Sequence, residues 1–217
     1  MSTAPTLQLE RELFASGAAL VAGMDEVGRG AFGGPVSVGV CLVDATVSAP
    51  PAKLRDSKLL SGVAREKLLP EIDAWCVARA VGDASAAEID ELGIVGALRL
   101  AGMRALAQLP TVPDLVILDG VHDWLTPPPA DLFDTSEPVS FKVTTKVKGD
   151  LTCASVAAAS VCAKVHRDSF MLKLEKAFPG YGWSSHVGYG TAAHREAIAK
   201  LGLSEMHRKS WKLVDED

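Results

Sequence analysis

Asp25 and Glu26 stand together at the end of an apolar run in GMDEVGRGAFGGP, and a glycine-arginine-glycine turn, Gly28-Arg29-Gly30, follows one residue later. Two carboxylates at the end of a central strand are costly unless cations, basic partners or solvent meet them. Divalent metal held through oxygen ligands is the chemical use such a pair suits, and an exposed turn with two acids is the competing reading. Downstream, LVILDG ends another apolar run on Asp119, and FKVTTKVKGD places Asp150 directly before an alanine-rich stretch. If the runs bearing Asp25/Glu26 and Asp119 pair side by side, all four acids reach one sheet edge. That cluster calls for Mg²⁺ or Mn²⁺, and paired cations suit in-line phosphodiester hydrolysis.

A rival motif overlaps the first one. Gly28, Gly30 and Gly33 satisfy G-x-G-x-x-G, and Asp44 ends the next apolar run as a ribose-binding acid would. A dinucleotide site, however, needs a helix opening at the glycines inside a βαβ unit. Pro35 and a valine-rich run follow Gly33-Gly34 at once, which leaves no room for that helix, so the glycines are read as a strand-to-strand turn. The cysteines, Cys41, Cys76, Cys153 and Cys162, show no C-x-x-C pair and no spaced histidine partners; free buried thiols are expected. His186, His194 and His207 have no metal-ligand spacing and are read as phosphate-contacting or surface residues. Trp183 and Trp211 are read as packing residues ahead of base-stacking ones, Asp56 as a loop organiser, and Arg167-Asp168 as a helical ion pair without a catalytic part.

The elements that must carry these residues follow from periodicity and punctuation. A short helix is expected over 7–16, and strands over 19–27 and 35–43, both apolar enough to be central. An amphipathic helix over 63–75 and a β-branched run over 76–81 come next. Ser85 with Glu88 forms a capping box opening one long helix that runs to Leu106. A strand over 114–119 ends in Asp-Gly, residues 139–147 alternate after the proline-rich TPPPA, and 152–177 reads as a long helix. Two successive strands followed by alternating helix and strand describe an α/β fold with a mixed sheet.

Composition narrows the class further. The chain of 217 residues is 48% apolar and 23% charged, which fits an ordinary globular protein and excludes disordered and fibrous ones. Its apolar runs are far shorter than the roughly 20 residues of a membrane span. Glu10 and Glu12 stand where a secretory leader would need basic residues, so a cytoplasmic location is expected. The net charge of −5 hides an asymmetry: residues 1–140 hold 10 basic and 19 acidic side chains, residues 141–212 hold 12 and 5, and LVDED closes the chain. A basic final third can hold a polyanion while carboxylates elsewhere hold metals; solvated lysine-rich helix faces would give the same count.

Seven motifs in order, MDEVGRG, LRDSKLL, EIDEL, ILDG, VKGD with AAASVCAKVHRD, HVGYGT and HRKSW, make the chain resemble the type 2 ribonucleases H, the bacterial ribonuclease HII family. The resemblance runs from about Gly23 to Trp211. It implies an RNase H-like fold: a central mixed sheet flanked by helices over 1–177 and a C-terminal helical extension over 178–217 packed on it as one unit. It further implies Mg²⁺- or Mn²⁺-dependent cutting of the RNA strand of RNA–DNA hybrids and of duplex DNA at embedded ribonucleotides, leaving 3′-hydroxyl and 5′-phosphate ends. Carried across, the metal-binding acids fall on Asp25, Glu26, Asp119 and Asp150, the 2′-hydroxyl-reading turn on Gly28, Arg29 and Gly30, and the sugar-stacking tyrosine on Tyr189. Lys58, Lys146, Lys148, Lys164 and Arg167 are candidate phosphate contacts. Ala157 and Gly93 depart from the serine and asparagine of many relatives, and neither is among the acids. A monomer is expected, and LVDED shows no clear pattern for a replication clamp. Another RNase H-like nuclease, a resolvase or exonuclease, would use the same acids without sensing a 2′-hydroxyl; a silent hybrid-binding module would not need all four.

Overall fold

The computed structural model describes residues 4–127 and 141–213; Pro128 to Ala130 of the proline-rich stretch, the first two residues of the alternating run over 139–147 and the acidic tail lie outside them. β1 (Leu20–Val27) and β2 (Val36–Asp44) pair antiparallel from Leu20↔Asp44 to Val27↔Ser37. The glycines between them are thus a strand-to-strand turn, as the missing crossover helix required. β3 (Ala78–Ala84) pairs antiparallel with the far side of β2. β4 (Leu115–Asp119) lies parallel to β1, and β5 (Lys142–Lys146) parallel to β4, giving a mixed sheet in the order β3-β2-β1-β4-β5.

The two long apolar runs are central because both sheet faces are covered. Along β2, Val36, Val38, Val40 and Leu42 pack with Ala22 and Met24 against α3 (Ala86–Leu106), while Cys41 and Val43 pack with Val21 against α2 (Gly62–Trp75) and α5 (Ala154–Ala177). Alternate residues point to opposite faces, so a strand covered on both sides needs apolar residues at nearly every position. Residues 154–163 of α5 are all buried, and their alanines let the helix backbone approach the strands closely. α1 (Gln8–Ala15) joins this layer, with Glu10 accepting the N–H and hydroxyl of Ser155.

Three local expectations shift. The third strand begins at Ala78 because the Cys76 N–H still donates to Ile72 O and closes α2. The capping box of α3 forms in both directions, Glu88 N–H to Ser85 Oγ and Ser85 N–H to Glu88 Oε2, yet the helix is two segments: Gly93, at φ 68°, kinks it. Cys153 is extended and separates a single turn, α4 (Gly149–Thr152), from α5, so the alanine-rich helix starts two residues late. Beyond α5, α6 (Trp183–His186) and α7 (Ala192–Leu201) enclose a third apolar cluster in which Trp183, Tyr181 and Ile198 meet Met171 and Leu174. Among the described residues no helix is long and apolar enough to cross a membrane.

Candidate active site

Parallel pairing of β1 and β4 brings Met24 opposite Leu118, so the next residues, Asp25 and Asp119, lie side by side where that pairing ends, at the carboxyl end of both strands, with Asp25 still paired to Gly39 of β2 and Asp119 to Lys146 of β5. Open α/β sheets bind ligands there, beyond the carboxyl ends of the strands. A cleft of about 410 Å³ opens at this edge, lined by Asp25, Glu26, Asp119, the turn Gly28 to Gly30, and Tyr189. Lys58 and Lys164 line it as well; Lys146, Lys148 and Asp150 do not.

The carboxylates are unevenly supported. Asp25 is 6% exposed, and burial first, then the charges of Glu26 and Asp119, push its carboxyl up to about 8 against the pull of Ser160 and Lys58. Burial also raises Glu26, opposed by Arg29 at 3.3 Å. Asp119 is raised by burial and by Asp150, although its Oδ1 accepts the Gly149 N–H at 2.7 Å. Asp150, buried at the start of α4, takes the Lys58 ammonium at 3.1 Å. Among the described residues no three acid, histidine or cysteine side chains converge as they stand into a metal-ligand group. Even so, three crowded carboxylates held above their ordinary range, with oxygen donors alone, are what hard divalent cations satisfy. Asp25, Glu26, Asp119 and Asp150 therefore fit such ions chemically, with Lys58 meeting part of the charge.

The turn is built from behind. Gly28 has φ 82°, and a Cβ there would collide with the Arg167 guanidinium. The Arg167 guanidinium, fully buried, donates to the carbonyls of Gly33, Pro35 and Val187 at 2.8 to 3.1 Å. Arg208, also fully buried, donates to the carbonyls of Gly28 and Arg29 at 2.6 and 2.8 Å. With these carbonyls bound on the protein side, the turn is fixed without using its own amides. A Cβ on Gly30 would meet nothing within 4 Å, so packing does not demand glycine there.

Other assignments change. Arg167 is not paired with Asp168, which binds Lys164 at 2.6 Å and Arg65 at 3.6 Å; neighbours i and i+1 point apart on a helix. Burial against carbonyls also removes Arg167 from the phosphate contacts. His186, His194 and His207 are 8%, 0% and 1% exposed, so they are neither surface residues nor phosphate ligands. Asp56 does organise its loop, accepting the Lys58 N–H at 2.9 Å, Trp183 is a core residue, and all four cysteines are free thiols, Cys41, Cys153 and Cys162 buried as expected and Cys76, at the end of α2, only half-buried. Sequence reading missed Ser160 beside Asp25, and Arg208, which stands in HRKSW but whose partners lie some 180 residues upstream.

The sequence profile of the family described as ribonuclease HII matches residues 22–214. The ribonuclease HII of Streptomyces avermitilis is 45% identical over 212 residues, 97% of this chain and 85% of its own. Among solved structures, the ribonuclease H2 of Pyrococcus horikoshii superimposes with a TM-score of 0.69 at 25% identity, over 89% of this chain and 94% of its own. The ribonuclease HII in a PCNA complex from Archaeoglobus fulgidus gives 0.66 at 26%, over 91% and 98%. The mixed sheet with its C-terminal helices is thus the RNase H-like fold.

Proposed function

The chain belongs to the ribonuclease HII family and is a ribonuclease H, and from that premise we propose that it cuts the RNA strand of RNA–DNA hybrids and, in duplex DNA, the bond at a single embedded ribonucleotide, leaving 3′-hydroxyl and 5′-phosphate ends. The observation that carries the reading is the meeting of Asp25, Glu26 and Asp119 with the Gly28-Arg29-Gly30 turn and Tyr189 in one cleft.

Asp25, Glu26, Asp119 and Asp150 would hold Mg²⁺ or Mn²⁺, which supplies Lewis-acid activation of water and charge neutralisation at the leaving oxygen. The chain's own residues do the recognising. The turn faces the sugar with the Gly28 and Arg29 carbonyls already taken by Arg208, which leaves its amides to donate to a 2′-hydroxyl, the group that separates RNA from DNA at one nucleotide. Gly30, open to 4 Å, lets that sugar approach closely. Tyr189, 39% exposed, packs its ring flat on a deoxyribose and crowds an added hydroxyl, favouring DNA on the 3′ side of the cut. Lys58 and Lys164 hold phosphates at the cleft, with Lys146 and Lys148 of the β5–α4 connection as outer contacts. Sugar and backbone contacts predict little sequence preference.

The extension from residue 178 supplies Tyr189 to a site whose acids lie before residue 151, and a single chain so equipped is expected to act as a monomer. Four free thiols suit a reducing cytoplasm. The test is incubation with duplex DNA containing one ribonucleotide, alongside all-DNA duplex, with Mg²⁺ and with chelator. Cutting only at the ribonucleotide and only with metal is expected; cutting of all-DNA duplex, or none with metal, overturns the reading.

A further inference from the structure

The segment bearing Tyr189 is tied, away from the cleft, to a buried row of histidines whose protons can be placed. A backbone N–H can only donate, so the Ser204 N–H, 2.9 Å from His207 Nδ1, makes that nitrogen the acceptor. A neutral His207 then carries its proton on Nε2, 3.1 Å from His194 Nε2, which must accept it. His194 is left with its proton on Nδ1, donating to the Tyr189 carbonyl at 3.0 Å. His186 is fixed by the same logic: the Gly188 N–H donates to its Nδ1, and its Nε2–H donates to the Tyr181 carbonyl.

The row leaves little room for a further proton. A second proton on His207 would face the Ser204 N–H, with only the Ser204 hydroxyl, 2.9 Å from the same nitrogen, to accept it, and one on His194 would set two N–H groups against each other. The groups facing the pair favour neutrality too: His186 stacks on His194 at 4.1 Å between centroids, Arg195 acts on it from α7, and the rings of Tyr181 and Trp183 flank His207; Glu205, beside Ser204, is exposed. Burial accordingly holds both His194 and His207 down to about 4. The backbone they act on needs holding. Val187 sits at φ 46°, a conformation β-branched residues avoid, pinned by Arg167 on its carbonyl and by the Phe32 N–H on the Gly188 carbonyl at 2.8 Å each.

We propose that His207 and His194 form a neutral hydrogen-bond relay that fixes the main chain at Tyr189 and thereby aims its ring into the cleft, making both histidines positioning residues for selection of the DNA-side sugar. This rests on the reading of Tyr189 given above. The role is transmitted, not direct, so it has a signature that a merely structural pair lacks: its effect vanishes when the ring is gone.

The experiment measures cleavage of single-ribonucleotide duplex by His194→Ala, His194→Asn, Tyr189→Ala and the Tyr189→Ala/His194→Ala pair, together with ring ¹⁵N spectra of the wild type at pH 6.5. Asparagine can place an amide N–H where Nδ1–H stood. Losing one buried hydrogen bond predicts that His194→Ala slows cutting about fivefold, that His194→Asn stays within about twofold of wild type, and that His194→Ala adds nothing in the Tyr189→Ala background. Equal slowing in both backgrounds, or alanine and asparagine alike, overturns the relay. The spectra should show His194 protonated on Nδ1 and His207 on Nε2; either ring doubly protonated, or the tautomers reversed, also overturns it. If the wild type fails to cut at the ribonucleotide, the substrate reading falls and the spectra alone decide the relay.

Discussion

Asp119 shows how a single side chain can serve the site at the expense of the fold. Its carboxylate lies near Asp25 and Asp150, and burial and like charge hold it above its ordinary range; only its Oδ1 is used structurally, accepting the Gly149 N–H. Asparagine keeps an oxygen for that bond and removes the charge. Asp119→Asn should therefore lower metal-dependent cleavage by roughly a hundredfold or more, since cation stabilisation is worth several kcal/mol. Its melting temperature in chelator should equal or exceed that of the wild type, because like-charge repulsion is relieved. Cleavage at the wild-type rate would remove Asp119 from the metal ligands. Tyr189 separates ring from hydroxyl in a similar way. Tyr189→Phe should stay near wild type on single-ribonucleotide duplex while Tyr189→Ala slows roughly tenfold or more, a stacked ring being worth about 1–3 kcal/mol; equal rates for alanine and wild type would make it a surface tyrosine.

At the scale of elements, the turn between β1 and β2 depends on groups that arrive from α5 and from the segment after α7. Arg208 is held down to about 9 by burial and by the nearby Arg167 charge, the mark of a cation kept for its five donors. Arg208→Met leaves the Arg29 carbonyl without its donor and the Gly28 carbonyl with the Ala31 N–H alone, at about 1–3 kcal/mol for the orphaned group, partly offset by losing a buried charge. A fall in melting temperature of roughly 5–10 °C is expected, read by thermal denaturation, and an unchanged melt would show that water replaces the guanidinium. The segment after α6 has its own dependence on pH. His194 and His207 are depressed to about 4 in the fold and return to about 6.5 when unfolded, so the neutral forms stabilise the fold above pH 6.5. That contribution is lost as pH falls from about 6.5 toward 4. The protection of amides across residues 181–207 against hydrogen exchange, relative to their intrinsic rates at each pH, should fall over that window; protection that stays flat would mean the rings gain protons without opening the row.

These elements also mark what a sequence can disclose. The strands bearing Asp25 and Asp119, the β1–β2 turn and the capping box at Ser85 were legible because each is written in contiguous residues: an apolar run, a glycine cluster without room for a helix, a serine and glutamate three apart. Arg167, Arg208 and the histidines were misread or passed over because their partners are backbone carbonyls, which every residue possesses. No spacing announces that Arg167 will meet Pro35, 132 residues away, and a histidine beside glycines looks the same whether buried or exposed. Gly93 did leave a trace, glycine inside a long helical pattern, and the kink at φ 68° is its consequence.

For the whole molecule, the difficulty is that a chain of net charge −5, with Asp25, Glu26 and Asp119 lining the cleft, must hold a polyanion. The acids cannot attract a phosphate backbone, so the attraction must come from cations in the cleft and from the basic side chains of residues 141–212, which outnumber acids 12 to 5. Lys164 and Lys58 already stand at the cleft, each paired with a carboxylate, Asp168 and Asp150, that a phosphate would have to displace or share. Such contacts release condensed counterions, and the logarithm of affinity falls with that of salt by about 0.9 per phosphate neutralised. Three to five phosphates would give a slope of roughly −3 to −4.5, and a loss of about a hundredfold between 50 and 200 mM salt. Fluorescence anisotropy of single-ribonucleotide duplex, measured with Asp119→Asn so that cutting is slow on the timescale of the titration, should show that slope at fixed Mg²⁺. Replacing Lys164 with methionine should flatten it by about one unit. A flat dependence in the parent would place the basic third of the chain on solvated helix faces, leaving the turn and Tyr189 to hold the duplex by sugar contacts alone.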